Sequence, residues 1–476
     1  MKVEKSVLLE KKRPLLKRLL SILTDSYEYV SILACDTVGK GYSISKSGIV
    51  VQEQQLFTDK GYVVKVYDGE SYGEYSFNNI TENNIDEIKE AVSESLMPWK
   101  DSLREELSVK KYKKMTEEKI SFEKSTEYEK DPSEMGDEAI IDALSAIRQN
   151  TLDKESKLID AAVTFSYQKY HKLFLSDNKE LEQNVMWSTA ALSARSAKGQ
   201  EVKAGFSTAS GIKGAEVIDE IKEKIDEVIE KVNLLLISEP MIQGEYDCIC
   251  APDVTGMIVH EAFGHGVEMD MFVKDRALAK QYIGEYVASP LVTMHDGASA
   301  YTQTATYFFD DEGTLAHDTV IIEKGILKQG ICDAQAGMAL GFEPTGNGRR
   351  QSTERKAYTR MTNTYFEEGT DKVEDMIASI EYGFLLENAS SGMEDPKNWG
   401  IQCLVDCARE IKDGKFTGRV FSPIVLTGYV PDLLKSITMM SDAKELSGSG
   451  MCGKGYKEWV KVSDGGPYIK ARIRLG

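Results

Sequence analysis

Hydrophobic residues recur at two different spacings along this chain, and these spacings are what most constrain its fold. Near Val163, Phe165 and Tyr167 every second residue is apolar, which is typical of a strand with one buried face. Between residues 217 and 232 apolar residues recur every three or four positions, with Asp, Glu and Lys between them. This predicts an amphipathic helix, which Pro240 ends. A chain that carries both patterns is predicted to be α+β.

The patterns also change in kind along the chain, and this change suggests the domain organisation. Before residue 239, predicted strands alternate with helices and indicate mixed sheets with flanking helices; after it, the pattern is β-rich. We predict an N-terminal α+β region over 1-125, a middle α+β region over 126-238 that can form one domain with the first, and a β-rich C-terminal domain over 239-476. A length of 476 residues suits two or three such units.

Individual elements follow from periodicity and turn signals. Helices are predicted within the first 23 residues, over 81–96, and after Asp131-Pro132, where a capping residue precedes a proline. The charge-dense stretch from Lys100 to Lys130 lacks apolar periodicity and predicts a linker or exposed excursion. The predicted strands are 29–35, 41–45, 50–57, 62–67, 158–167, 172–175, 185–193, 246–251, 305–309, 320–327 and 416–427.

The charge of the chain excludes some classes of partner. A formal net charge of -19 argues against binding to nucleic acid, because phosphate contacts draw on surplus Lys and Arg. The first 23 residues are basic, with seven Lys or Arg against two Glu, but charges interrupt every apolar cluster, which favours an amphipathic helix over a signal peptide. A helix lying on a membrane surface is the alternative interpretation. We expect a cytoplasmic protein that binds neither nucleic acid nor membrane.

The cysteines are an odd and dispersed set of seven, so we expect core residues or metal ligands rather than disulfides. Cys248 and Cys250 would lie on one face of a strand, and Cys403 and Cys407 would share a helix face. Burial in the core is the expected role of both pairs.

The segment VHEAFGHGVEMD, at 259–270, combines two of the five histidines with a glutamate as His-Glu-x-x-x-His. Residues five apart on a regular helix point about 140° apart, so both rings cannot face one ion. A π-type turn, or helix termination at Gly264 and Gly266, would remove this obstacle. In that case His260 and His265 would supply imidazoles to zinc, with Glu261 as general base.

Spacing alone leaves the site incomplete. Two surface or core histidines are the competing interpretation of the motif, and it lacks a third ligand. Glu268 and Asp270 are near in sequence, His295 and His317 lie further on, and Cys452 sits in a glycine-rich loop that allows close approach. Nothing in the spacing selects one of them.

Five segments in this order resemble the TldD branch of the TldD/PmbA family of zinc metalloproteases: HEAFGHGVEMD, DDEGT, GNGRR, RMTNTY and GMCGKG. The resemblance implies a C-terminal metalloprotease domain in which His260, His265 and Cys452 hold one Zn²⁺ per chain. It also implies that Glu261 is the catalytic base. The PmbA/TldE branch resembles this chain in fold but lacks the zinc motif. The charged stretch 100–130 and the C-terminal tail depart from the family pattern.

The resemblance further implies a peptidase, long labelled a DNA gyrase modulator, that hydrolyses unfolded or extended polypeptides in an enclosed chamber. Its expected partners are a PmbA/TldE-like subunit or a second copy in a homodimer. Arg360 and Asn363, in RMTNTY, are predicted to position substrate. The alternatives are a non-catalytic peptide-binding or scaffolding subunit of such a complex, and a zinc-dependent hydrolase of small amides.

Overall fold

The computed structural model describes residues 1–53, 58–96, 112–456 and 458–476. Residues 54–57 of one predicted strand and residues 100–111 of the predicted linker lie outside the described residues. The remainder is a mixed helix and sheet structure with a β-rich C-terminal part, so the predicted α+β fold class is confirmed. The division at 1-125, 126-238 and 239-476 stays a prediction.

Helices flank one sheet in the N-terminal part. The helices are α1 (Val7–Thr24), α2 (Ile85–Ser95), α3 (Pro132–Met135), α4 (Asp137–Lys154), α5 (Val217–Glu223) and α6 (Ile225–Leu236). The strands are β1 (Tyr29–Ser45), β2 (Gly48–Glu53), β3 (Asp59–Tyr67), β4 (Tyr72–Phe77), β5 (Ile120–Ser125), β6 (Leu158–Ser176), β7 (Lys179–Lys198) and β8 (Glu201–Gly211).

These eight strands form one sheet, in the order β4-β3-β1-β6-β7-β5, with β2 beside β1 and β8 beside β7. Helix α1 buries Leu16, Leu19 and Leu23 against one end of the sheet, and α4, α5 and α6 cover its other end. The sheet therefore contains every described strand of the two regions expected over 1-125 and 126-238.

The sheet also corrects two predictions. Residues Ile120–Ser125 of the expected linker form β5, which pairs in parallel with β7. The backbone of β7 supplies hydrogen-bond partners that a charge-rich sequence does not reveal. The single helix expected over 217–232 is two helices that meet at Lys224.

The predicted helix cap at Asp131 is confirmed, because its side-chain carboxylate accepts a hydrogen bond from the Ser133 N–H. None of the helices in the described part of the chain combines the length and apolar character that a membrane span requires.

Strands dominate the C-terminal part. The helices are α7 (Pro252–Val259), α8 (Met269–Val273), α9 (Ala334–Leu340), α10 (Val373–Ala378) and α11 (Val430–Lys435). The strands are β9 (Gly244–Cys250), β10 (Met294–Asp296), β11 (Thr319–Glu323), β12 (Ile326–Leu327), β13 (Gly348–Arg349), β14 (Tyr358–Thr359), β15 (Asn363–Phe366), β16 (Tyr382–Asp395), β17 (Gly400–Lys412), β18 (Lys415–Phe421), β19 (Ile424–Tyr429), β20 (Met439–Ser447), β21 (Met451–Lys454), β22 (Glu458–Lys461) and β23 (Ser463–Leu475).

Eleven of these strands form a second sheet that closes on part of itself. Its order is β12-β11-β10-β15-β23-β19-β17-β16-β9, with β18 beside β17 and β20 beside β23. Because β9 also pairs with β23, the five strands β23, β19, β17, β16 and β9 make a closed ring. Two predictions are corrected here. Residues 305–309 form no strand beyond a single bridge at Phe309. Cys403 and Cys407 lie on β17 rather than on a helix, although both are buried as expected.

A network of buried ion pairs joins the N-terminal sheet to two loops of the C-terminal part. Lys65 on β3 lies 2.5 Å from Glu312 and 3.1 Å from Glu74, and Arg350 lies 2.7 Å from Glu74. Glu312 belongs to the DDEGT segment and Arg350 to GNGRR, whereas Lys65 and Glu74 belong to the N-terminal sheet. Burial alone would raise the pKa of Glu74, but Lys65 and Arg350 hold it at about 2. These two motifs therefore fasten the C-terminal part to the N-terminal sheet.

Replacing Lys65 with Met is expected to lower the free energy of unfolding by about 3–5 kcal/mol, because it leaves buried Glu312 without its cation. Lys17→Met is the matched control. Its ion pair with Glu180 is exposed, so its expected cost is about 0–1 kcal/mol. Equilibrium denaturation of the two variants, followed by circular dichroism, measures the difference. Equal losses of stability in the two would contradict the importance of the buried network.

Candidate metal centre

The His-Glu-x-x-x-His motif extends a buried helix that the closed ring of strands holds in place. Helix α7 starts at Pro252 directly after β9, and its buried face packs on β23. A Cβ on Gly256 would lie 2.7 Å from the Gly465 backbone nitrogen, so only glycine allows this approach. The carboxylate of Asp253 accepts the Ala389 N–H of β16 at 2.9 Å, which ties the start of the helix to the neighbouring strand.

The helix widens where the motif begins. Residues His260–Gly264 form a π turn in which the His265 N–H donates to the His260 carbonyl, five residues back. The sequence predicted either a π turn or an end of the helix at Gly264 and Gly266, and the structure has the π turn. The two imidazole centroids lie 5.1 Å apart at an interplanar angle of 84°. A Cβ on Gly264 would collide with the sulfur of Met361, which explains the glycine within the turn.

Cys452 completes the group. It lies on β21, which pairs with β22 in a short hairpin, and its Sγ is 3.4 Å from His265 Nε2. One donor atom each from His260, His265 and Cys452 lie within 4.8 Å of one another, and no other group of three or more such residues was found among the described residues. The structure thus brings together the three residues that the resemblance implied.

The other residues considered as third ligands lie elsewhere or make different contacts. Glu268 accepts from His265 Nδ1 at 3.1 Å, and Asp270 pairs with Lys454 at 2.7 Å. His295 lies on β10 between Asp318 and Glu367, with its ring stacked on Tyr365. His317 is exposed.

A carboxylate lies beside each of the two imidazoles. Because Glu268 accepts from Nδ1 of His265, Nε2 of that ring, which faces Cys452, is the nitrogen available to a metal. Asp464 Oδ2 lies 3.5 Å from His260 Nδ1, and this buried nitrogen has no full hydrogen bond in the described structure. Such carboxylate–histidine pairs usually accompany zinc ligands.

The charges of the three groups depend on one another. Burial alone would raise the pKa of the Cys452 thiol, but the adjacent imidazoles hold it well below its usual value. Burial would lower the pKa of His265, but Cys452 and Glu268 raise it to about 10. A buried thiolate between two imidazoles is a donor set that suits Zn²⁺, and a metal cation would replace the protons that now balance the thiolate. The residues present therefore fit a zinc ion.

Glu261 and the donor atoms line one cavity of about 830 Å³. Burial raises the pKa of Glu261 above its usual value, although the charges of His260 and His265 oppose this shift. Gly392 of β16 faces the Glu261 side chain so closely that a Cβ there would collide with it. The carboxyl group is therefore confined in the cavity that the three donor residues line.

Sequence reasoning missed a second carboxyl group and a strand edge in the cavity. Both oxygens of Glu394 are buried without a hydrogen-bond partner in the described structure, and burial raises its pKa well above the usual value.

The strand edge belongs to β16. β9 pairs with β16 only along Gly383–Leu386, so residues 390–394, which line the cavity, pair on one side with β17 and have no strand partner on the other side in the described structure. Strand β16 was not predicted, and no sequence signal pointed to Glu394.

Arg360 and Asn363 are both buried, with 1% and 0% exposure. The Arg360 guanidinium donates to the carbonyls of Cys452 and Glu458, and the Asn363 amide donates to the carbonyls of Gly297 and Tyr301. Their predicted role in substrate positioning stays a prediction.

The part of the chain that carries this site matches a known family model. Residues 243–473 match the PmbA/TldA metallopeptidase C-terminal domain. A Methanothermobacter thermautotrophicus protein named Metalloprotease is 30% identical over 285 residues, which cover 59% of this chain and 61% of that protein. A Saccharolobus solfataricus protein named Zinc metalloprotease TldD homolog is 32% identical over 249 residues, which cover 52% of this chain and 54% of that protein. The chain therefore spans less than two thirds of either relative.

Solved structures resemble the chain over nearly its whole length. TldE from Thermococcus kodakarensis superposes with a TM-score of 0.73 at 16% identity, covering 96% of this chain and 99% of that chain. A Thermotoga maritima protein described as a candidate modulator of a DNA gyrase superposes with a TM-score of 0.76 at 15% identity, covering 97% of this chain and 99% of that chain. At these identities the likeness shows the fold alone.

Proposed function

Since the C-terminal domain of this chain belongs to the PmbA/TldD family, we propose that the protein is a zinc-dependent peptidase acting on unfolded or extended polypeptides. The observation that carries the proposal is the meeting of His260, His265 and Cys452 beside Glu261 in one cavity. Three protein ligands leave a fourth position open, which is the pattern of catalytic rather than structural zinc sites. We expect one Zn²⁺ per chain.

The chain's own residues divide the chemistry among them. A bound zinc ion would supply Lewis acidity towards the scissile carbonyl and lower the pKa of a water molecule. Glu261 accepts a proton from the attacking water at its carboxylate and later donates it to the leaving amine. Glu268 holds the His265 ring in the tautomer that leaves Nε2 free to bind metal.

The free edge of β16 supports an extended substrate. A peptide in β conformation can add to an exposed strand edge through main-chain hydrogen bonds, which are independent of side-chain sequence. The cavity-lining stretch from Ser390 to Glu394 offers such an edge beside Glu261. A folded protein could not present its backbone there, so unfolded or extended chains are the expected substrates.

The proposed assembly pairs this chain with a PmbA/TldE-like subunit or with a second copy of itself. The likeness to TldE in fold supports a partner of the same architecture. A cytoplasmic location remains part of the proposal and rests on the charge pattern of the sequence.

The test compares cleavage of unfolded proteins and short amides by the zinc-loaded protein, with and without a chelator. We expect cleavage of casein or a reduced, unfolded protein, loss of cleavage on chelation, and recovery on return of zinc. Cleavage of short amides alone would favour a small-amide hydrolase. Peptide binding without cleavage, tested also in the presence of a PmbA/TldE-like subunit, would favour a scaffolding subunit and overturn the proposal.

A further inference from the structure

A buried arginine lies directly behind Cys452. The Arg360 side chain donates to the Cys452 carbonyl at 2.6 Å and to the Glu458 carbonyl at 3.0 Å. Cys452 lies on β21 and Glu458 on β22, so one guanidinium links both strands of the hairpin. The charge of Arg360 acts on the nearby Glu268 carboxylate, whose direct ion pairs in the described structure are with His265 and Lys454. The hydrogen bonds to the two carbonyls therefore have to compensate for much of the cost of burying the guanidinium.

A second arginine holds the same hairpin from the GNGRR segment. Arg349 donates to the Lys461 carbonyl at 2.7 Å and to the Met361 carbonyl at 2.5 Å. Met361 in turn packs its sulfur against Gly264 in the π turn. The two guanidinium groups thus connect the hairpin to the segment that contacts the turn between His260 and His265.

The chemistry of the metal centre requires such a connection. Cys452 lies 187 residues from His265, and nothing in the local backbone fixes the distance between them. A metal site needs its ligands held within about 0.5 Å of their working positions by surrounding contacts. The guanidinium groups of Arg360 and Arg349 meet that requirement, because each is planar and donates to a carbonyl group of the hairpin that carries Cys452.

We propose that Arg360, assisted by Arg349, is a positioning residue of the metal centre that fixes the hairpin so that the Cys452 thiolate meets the two imidazoles. The inference rests on the proposed metal centre and assigns a role to two motif arginines that the peptidase chemistry does not use. It differs from the substrate-positioning role predicted for Arg360. Lysine cannot replace it, because a single ammonium does not reproduce the planar fork that reaches both carbonyls.

The test uses the full-length protein loaded with Co²⁺ in place of zinc, because a cobalt–thiolate bond gives a charge-transfer absorption that reports on Cys452 directly. The variants are Arg360→Lys, Arg349→Lys and the control Arg419→Lys, whose guanidinium pairs with Glu239 and Glu410 and does not contact the hairpin. Zinc affinity is measured by competition with a chelator. Thermal unfolding of each metal-free variant shows whether it is folded.

We expect Arg360→Lys to weaken zinc binding about 10- to 100-fold and to reduce the charge-transfer band, with no such change in the control. Arg349→Lys should also weaken zinc binding and reduce the charge-transfer band. A folded Arg360→Lys protein with wild-type affinity and band would overturn the inference while leaving the zinc peptidase intact. If Arg360→Lys does not fold, Arg349→Lys decides, and an unchanged band there overturns the inference. Absence of metal binding by the wild-type protein would overturn the metal centre itself and the inference with it.

Discussion

Glu261→Gln is expected to lower the rate of peptide cleavage by about 10²–10⁴-fold and to leave the zinc content unchanged. Glutamine keeps the shape of the side chain between Gly392 and the cavity but cannot accept a proton from water. Because Glu261 is not one of the three grouped donor residues, the metal should stay bound. Steady-state cleavage of an unfolded protein and elemental analysis of the same sample measure the two quantities.

The control for this experiment is Glu323→Gln, an exposed glutamate on β11 whose partner is Lys328. It should retain the wild-type rate. A wild-type rate in the Glu261 variant would remove its role as general base. It would direct attention to Glu394, whose two oxygens are buried at the cavity without a hydrogen-bond partner in the described structure. Loss of zinc in the Glu261 variant would instead indicate that the residue supports the metal.

Cys452→Ala is expected to abolish both zinc retention and peptide cleavage. The substitution removes the one anionic donor of the group and leaves two neutral imidazoles, which bind zinc far more weakly than a set with a thiolate. Zinc per chain should fall from about one to near zero after dialysis. Elemental analysis beside a cleavage assay checks both outcomes.

Cys407→Ala is the matched control, because Cys407 is buried on β17 in a separate cluster with Leu235 and Val420. It should lose some stability through the lost packing but keep its zinc. Full zinc in the Cys452 variant would exclude the thiolate as a ligand. Glu268, which contacts His265, and Asp270, which is close to the motif in sequence, would then be the alternatives to test.

The geometry of the motif could be predicted from the sequence because it follows from helix dimensions. Two histidines five residues apart cannot share an ion on a regular helix, and this conflict predicted either a π turn or an early helix end. The π turn at His260–Gly264 is one of these two solutions. Local backbone geometry was sufficient for this part of the site.

The third member of the group could not be predicted from spacing. Cys452 reaches the histidines through the β21–β22 hairpin and the arginines behind it, and these contacts are all distant in sequence. Only the resemblance to a family singled it out. Arg360 illustrates the same limit, because its place in a polar motif gives no sign that its side chain points inward.

Strand prediction failed where pairing rather than side-chain pattern decides the structure. Residues 382–395 and 400–412 form long paired strands, yet neither shows a clean alternation of apolar and polar residues. The first has a run of buried residues followed by exposed Ser390 and Ser391, and the second has an exposed Leu404 between buried positions. Their stability comes from cross-strand hydrogen bonds and from closure of the ring through β9 and β23. At 305–309 an apolar stretch was predicted to be a strand but does not form one. It packs against the N-terminal sheet through Phe309 instead.

The most direct test of the metal centre is X-ray absorption at the zinc edge of the loaded protein. The account predicts a first shell with one sulfur at about 2.3 Å and two imidazole nitrogens at about 2.0–2.1 Å, plus one further light atom. In Cys452→Ala the zinc edge itself should be nearly absent after dialysis, because that variant is expected to lose its zinc. A first shell of nitrogen and oxygen alone in the wild-type protein would contradict the grouping of His260, His265 and Cys452 around one zinc ion.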